Sequence, residues 1–335
     1  MSGFPILDLV VGLIFIYFLL SIISSSVVEL ILTLSKTRAK LLQRWLLTIF
    51  DKQIVVDNDK SEPLGQAIMN HCTTTALSGQ GNSTSYMDAK NFTSALIEKL
   101  TFIKDQPKKV VTDLQEVIDA IAKTDALTPE LKRVFILYAN EAIQSGAADV
   151  KSTFDKFMAF RGKIENWYNT SMERVSGHLK SKYAFPLTIC VATVVASLGN
   201  ADSIEIAKYL HRNPEITANI AKQGYLTGRD STYLKRLNEA KAHNAKDTVT
   251  DKETEEAIKK ELATINEAKA VLAQSLPLGW NNVVVTSWPT KIFGILITIF
   301  AIIMGAPFWF ELLNKIANLR GTGTKPAVAK NDNGV

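Results

Sequence analysis

Residues 291–321 read KIFGILITIFAIIMGAPFWFELLNKIANLRG. Between Lys291 and Glu311 lie 19 consecutive uncharged residues, enough to cross about 30 Å of hydrocarbon as a helix. The run closes on GAPFWFELLNK, where Pro307 predicts a bend and Phe308, Trp309 and Phe310 supply aromatics suited to a membrane–water interface. Behind them LLNKIANL repeats apolar residues at helical spacing, which predicts a short helix lying along the membrane surface. Residues 291–310 are thus expected to span a membrane. Residues 311–335 are expected to form an interfacial helix and a disordered tail, the latter from the composition of GTGTKPAVAKNDNGV.

Two further runs have the same character. Residues 9–28 carry no charge and are bracketed by Asp8 and Glu29. The helical rise puts those carboxylates about 31 Å apart, one near each face of a bilayer. A cleaved signal peptide would need basic residues ahead of a shorter apolar core. No lysine or arginine precedes this one, so residues 1–35 read as an uncleaved first transmembrane helix. Residues 183–201, YAFPLTICVATVVASLGNA, form the second run, less apolar because of Pro186, Thr188, Thr193 and Ser197. Its competing reading is a buried helix of a soluble core, which would leave two spans.

Basic residues near span ends set orientation. Lys36, Arg38, Lys40 and Arg44 follow the first span, Lys163, Arg174, Lys180 and Lys182 precede the second, and Lys315, Arg320, Lys325 and Lys330 follow the third. Three spans therefore place the N-terminus outside, 36–182 in the cytoplasm, 202–290 outside and the C-terminus in the cytoplasm. Dropping the second span leaves 36–290 wholly cytoplasmic.

Both water-exposed parts read as helical, so the expected class is all-α. Residues 85–100 start at a Ser85 cap and repeat Met87, Phe92, Leu96, Ile97 and Leu100. Thr128, Pro129 and Glu130 announce another helix. From Asp149 a long helix carries Val150, Phe154, Phe157, Ile164, Trp167 or Tyr168, Met172, Val175 and Leu179 as one stripe, with Trp167, Met172 and Val175 expected to pack against a partner surface. Asn213-Pro214-Glu215 opens a helix, and residues 250–276 form a charged one with Ile258, Leu262, Ile265 and Leu272 on one face. Residues 224–250 read as polar and mobile. No stretch of strand period is expected.

The net charge of +5 is modest, and its basic residues crowd beside the apolar runs, so topology accounts for them and no nucleic-acid partner is expected. Residues 202–290 hold 12 acidic and 12 basic side chains, so no field steers a charged ligand. Cys72 and Cys190 form no disulfide framework or zinc site. His71, His178, His211 and His243 have no metal-ligand spacing, and none sits in a motif that positions it beside a nucleophile. Gly79 and Gly81 lack the Lys-Ser/Thr and preceding strand of a phosphate loop. Asn82, Asn91 and Asn169 head glycosylation triplets, but on a side expected to be cytoplasmic. No cofactor or metal is expected.

Asp8 and Glu29 suggest a proton relay, weighed against the blander role of hydrated interfacial residues, which their positions favour. Ser21, Ser24, Ser25 and Ser26 suggest close approach of another helix. Asn200 and Asp202 suggest a cap for the helix SIEIAKYL rather than an ion site. Trp288 is placed with the membrane-interface residues.

Three passages, ENWYNTSMERVSGHLKSK (165–182), LGNADSIEIAKYL (198–210) and GAPFWFELLNKIANLRGTG (305–323), resemble a family of uncharacterised bacterial membrane proteins. The resemblance implies a bacterial inner membrane and makes Asn200, Asp202, Pro307, Trp309 and Asn314 signature positions. The relatives carry an aromatic–Lys–Arg–Arg run where this chain has HLKSK. It implies no activity. The expected function is a non-enzymatic scaffold or anchor that self-associates or holds a partner at the bilayer. The alternative is an oligomeric channel or membrane-permeabilising effector.

Overall fold

The computed structural model describes residues 5–56, 60–75, 87–101, 113–145, 153–229, 251–276, 279–280 and 287–321. The Ser85 and Thr250 caps, Val150, the 230–250 part of the polar segment and the tail beyond Gly321 lie outside the described residues. The chain is all-α, dividing into two compact units: Met1–Ile31, Phe185–Asn244 and Ala257–Val335 make the first, and Leu32–Ala184 with Ala245–Glu256 the second.

Helix α1 (Pro5–Leu34) contributes its larger part to the first unit. The second unit then follows with α2 (Thr37–Ile49), strands β1 (Gln53–Val56) and β2 (Lys60–Pro63), α3 (Leu64–Met69), α4 (Cys72–Thr75), α5 (Ala89–Thr101), α6 (Leu114–Lys123), α7 (Pro129–Ser145) and α8 (Thr153–Leu179), ending in a π-turn at Lys180–Ala184. The strands correct the expectation of no strand. Ile54 faces Glu62 and Val55 faces Ser61 in an antiparallel pair. Four residues are too few for period-two alternation to register, although QIVV carries the β-branched side chains that favour a strand.

Local chemistry starts α7 as read. The Thr128 hydroxyl accepts from the Leu131 amide at 3.4 Å, with Pro129 at the first position of α7. Asp113 caps α6 through the Gln115 amide. The core is aromatic: Phe92 stacks on Tyr168 at 4.3 Å between centroids, and Trp45, Phe50 and Trp167 surround them. The Tyr168 hydroxyl donates to the Met87 carbonyl, so its one polar atom is satisfied inside the core. Trp167 and Met172 pack here while Val175 is half-buried. Phe154 departs from the predicted stripe: in the first turn of α8 it stands exposed, although it lies three residues before the buried Phe157.

The first unit continues with α9 (Phe185–Leu198), α10 (Ser203–Arg212), α11 (Pro214–Arg229), α12 (Asp251–Ser275, from Ala257 onward), α13 (Trp288–Met304) and α14 (Ala306–Gly321). Gly224 to Arg229, read as part of a mobile segment, belong to α11. Two observations place α1. Its Gly12 meets Leu210, Thr217 and Ile220, and Gly224 of α11 lies against Val11 and Phe15. The N-terminal half of α1 is therefore sheathed by α10 and α11, whose outward residues Glu205, Lys208, His211, Arg212 and Lys222 are exposed.

Among the described residues, two helical runs, Ile6–Leu34 and Thr153–Leu198, are long and apolar enough to cross a membrane, and α13 with α14 makes a third only if the bent pair counts as one. The bend expected at Pro307 in the run 291–310 comes two residues earlier. The helix stops at Met304, Gly305 takes φ 83°, and α14 leaves at 88°. Glycine tolerates that backbone region, and Pro307 falls in the first turn of α14, where no intrahelical donor is needed. Nor does α14 present a free apolar face. Its Phe310, Leu313 and Ala317 are buried, and Gly228 of α11 sits directly against the Leu313 carbonyl.

Candidate functional site

The polar residues of the first unit gather where α9 turns into α10 and meets α13. Helix α9 ends because Asn200 takes the left-handed conformation at φ 49°, which asparagine adopts more readily than most residues. The Asn200 amide then donates to Ser197 and the Ala201 amide to Ala196, both backbone carbonyls, the paired bonds of a Schellman ending. Two residues on, Asp202 caps α10, its Oδ1 accepting from the Ile204 amide at 2.9 Å and the Glu205 amide at 3.3 Å. The cap reading of Asp202 therefore holds, and Asn200 serves the preceding helix instead.

This turn is clasped from two sides. The Asn200 side-chain amide donates to the Gly279 carbonyl, the Gly279 amide to the Gly199 carbonyl, and the Trp280 indole to the Ser197 carbonyl. Trp280 also lies under the Lys291 ammonium, 5.1 Å from its ring centre. On the α13 side, Gly294 leaves room for the Asp202 carboxylate; a Cβ there would overlap it. Tyr17 donates to Ser203 at 2.8 Å, the Ser203 and Thr298 hydroxyls share a bond of 2.7 Å, and Thr298 also donates to the Gly294 carbonyl. Asp202, Ser203 and Thr298 are all buried. Chemically the arrangement is a fastening: it ties α1 to α10 and α10 to α13, and pins the end of α9 to Gly279 and Trp280.

The remaining predicted residues take varied places. Asp8 is buried, with only 6% exposed, instead of hydrated at an interface, because helices of the first unit enclose the N-terminal half of α1. Glu29 is half-buried. Ser21 donates a long bond to the Ile302 carbonyl, which brings α13 close as expected; Ser24 is buried and Ser25 half-buried. Trp288 is exposed. The Trp309 indole donates to the Ala301 carbonyl at 2.7 Å across the bend, its ring 5.0 Å from that of Tyr17. Pro307 and Asn314 are half-buried, and Asn314 accepts from Asn318.

One further feature is a face rather than a cluster. Phe185, Ile189, Val194 and Leu198 of α9 stand exposed, as do Ile292, Phe293, Leu296, Ile297, Phe300 and Met304 of α13, and these two helices pack together.

In the second unit the fold brings together a group that sequence spacing concealed. His71 Nε2 lies 3.3 Å from Glu98, and its Nδ1 lies 4.0 Å from the Cys72 sulfur. That Nδ1 already accepts from the Thr73 amide and contacts the Thr73 hydroxyl at 2.7 Å, so its lone pair is not open to take a thiol proton. Burial holds the imidazole below its usual value near 6.5, outweighing the opposing pull of Glu98. A depressed folded-state value means that the unfolded chain binds the proton better. The contribution is thus present above about pH 6.5 and lost as pH falls through the folded value. The second unit should therefore melt at lower temperature as pH drops below that range, with a flatter dependence in His71→Gln; thermal unfolding of both proteins across pH checks this.

Among the described residues no group of three or more His, Cys, Asp or Glu side chains is placed to hold a metal ion. Compared with protein families, curated proteins and solved structures, the chain matches none.

Proposed function

We propose that the chain is a membrane-embedded scaffold that holds its helical second unit at a bilayer. The observation that carries this reading is the exposed apolar face of α9 and α13, which is larger in character than the scattered single residues of an ordinary soluble surface. The charge pattern around the apolar runs supports a cytoplasmic second unit, and the three family-like passages support a bacterial inner membrane as its setting. Self-association or capture of a protein partner follows from the scaffold role.

A buried charge at a membrane helix centre costs about 2.5–3.5 kcal/mol on insertion scales. Phe293→Glu with Phe300→Glu should thus reduce the alkaline-carbonate-resistant membrane fraction at least about tenfold. Leu137→Glu, at an exposed apolar position of the second unit, should leave it unchanged. Equal loss in both variants would count against the assignment of this face.

One observation favours an oligomeric channel as a second reading. The first unit that carries this apolar face also exposes the charged faces of α10 and α11, which a ring of copies could turn toward water. Single-channel conductance of reconstituted protein separates the two, since a scaffold leaves the bilayer sealed.

A further inference from the structure

Where α9 ends and α13 begins, the apolar face borders a cation that has no counterion. Lys291 is only 6% exposed. Its ammonium lies 5.1 Å from the centre of the Trp280 ring, and among the described residues no carboxylate forms an ion pair with it. The carboxylate of the adjoining turn, Asp202, directs its Oδ1 to the Ile204 and Glu205 amides instead. A cation this far removed from water is costly unless an anion reaches it.

The first turn of α13 supplies the rest of an anion site. Helical side chains lean toward the N-terminus, so Lys291, at the fourth position, reaches back over that turn. The turn has no side-chain cap: the Ser287 hydroxyl bonds to no amide and accepts from the Thr290 hydroxyl. Ser287 to Thr290 are all exposed, which leaves the Trp288 and Thr290 amides open at the positive end of the helix dipole. The exposed apolar residues Ile292, Phe293 and Leu296 follow at once. Trp280 and Trp288 are exposed as well, and such rings belong at headgroup depth.

Resting on the membrane reading above, we infer that Lys291 and the first turn of α13 bind the phosphate diester of an anionic phospholipid, its acyl chains lying along the apolar face of α9 and α13. That continuity with the apolar face favours a lipid phosphate over a free one. A zwitterionic headgroup brings a cation of its own, for which the site offers no partner.

The full chain, purified in a mild detergent, would be titrated with phosphatidylglycerol or phosphatidylcholine of identical acyl chains, and retained lipid counted by native mass spectrometry. Wild type should retain about fivefold more of the anionic lipid. Lys291→Met keeps an apolar stem and deletes the charge, so it should lose that preference; Lys291→Gln replaces it if the methionine variant does not fold. Lys315→Met, which removes an exposed lysine of α14, should keep the preference. Equal retention of the two lipids by wild type, an undiminished preference without Lys291, or an equal loss in Lys315→Met overturns the site while leaving a membrane protein. Displacement of the lipid by excess inorganic phosphate also overturns it, assigning the site to a free anion. A chain that stays dispersed without detergent and retains neither lipid overturns the membrane reading, and the inference with it.

Discussion

Gly294→Ala will destabilise the first unit by about 1–3 kcal/mol, the usual cost of forcing a group into a filled interior. The added methyl overlaps the Asp202 carboxylate, which is itself held by two amides at the start of α10. Either the carboxylate leaves and the cap is lost, at about 1 kcal/mol, or α13 moves off the α9–α10 turn and strains the Ser203–Thr298 bond. A double-mutant cycle isolates the cause. In Asp202→Ala the space is empty, so adding Gly294→Ala should cost little, giving a coupling energy of about 1–3 kcal/mol. Thermal unfolding in a mild detergent, followed by tryptophan fluorescence, measures all four proteins. Additive effects would show that the carboxylate and the glycine are not in opposition.

Phe92→Ala should cost about 3–5 kcal/mol in the second unit. Phe92 is wholly buried, stacks on Tyr168, and has Phe50 and Trp167 near 6 Å. Its removal deletes apolar contact and leaves a void among rigid rings that cannot collapse into it. Phe92→Leu retains most of the volume and should cost about 1 kcal/mol. Denaturant unfolding monitored by far-ultraviolet circular dichroism distinguishes the two. A Phe92→Ala loss no larger than the leucine loss would mean that the site repacks, contrary to a jigsaw core.

Helices were legible wherever one chain segment carried its own signal. Thr128-Pro129-Glu130 marks the start of α7, Asp202 starts α10, and Asn213-Pro214 starts α11, because caps and proline act within a turn of where they stand. The class followed from these.

Features made by distant residues were not legible. An uncharged run from 9 to 28 looks the same whether lipid or protein covers it, so the sheath of α10 and α11 over Val11 and Phe15 left no local trace. Gly294 stands in GILITIF like any glycine of an apolar helix, and only the fold sets Asp202 against it. His71 and Glu98 are likewise joined by packing, with no spacing rule to announce them. At the third apolar run the bend was foreseen at Pro307, but the residue that turns is Gly305.

The division of the first unit into three stretches of chain has a consequence for how the protein is made. Ser21 meets Ile302 across 281 positions, and Phe18 meets Phe310. A ribosome adding about 5–20 residues per second delivers the later partners roughly 15–60 s after the earlier ones. During that interval α1 is a long apolar helix without its final neighbours, while the segment 32–184 emerges whole and can complete most of its own core. Nascent chains should therefore gain protease resistance first in the second unit. Until α14 is released, α1 depends on a membrane or a chaperone for shelter.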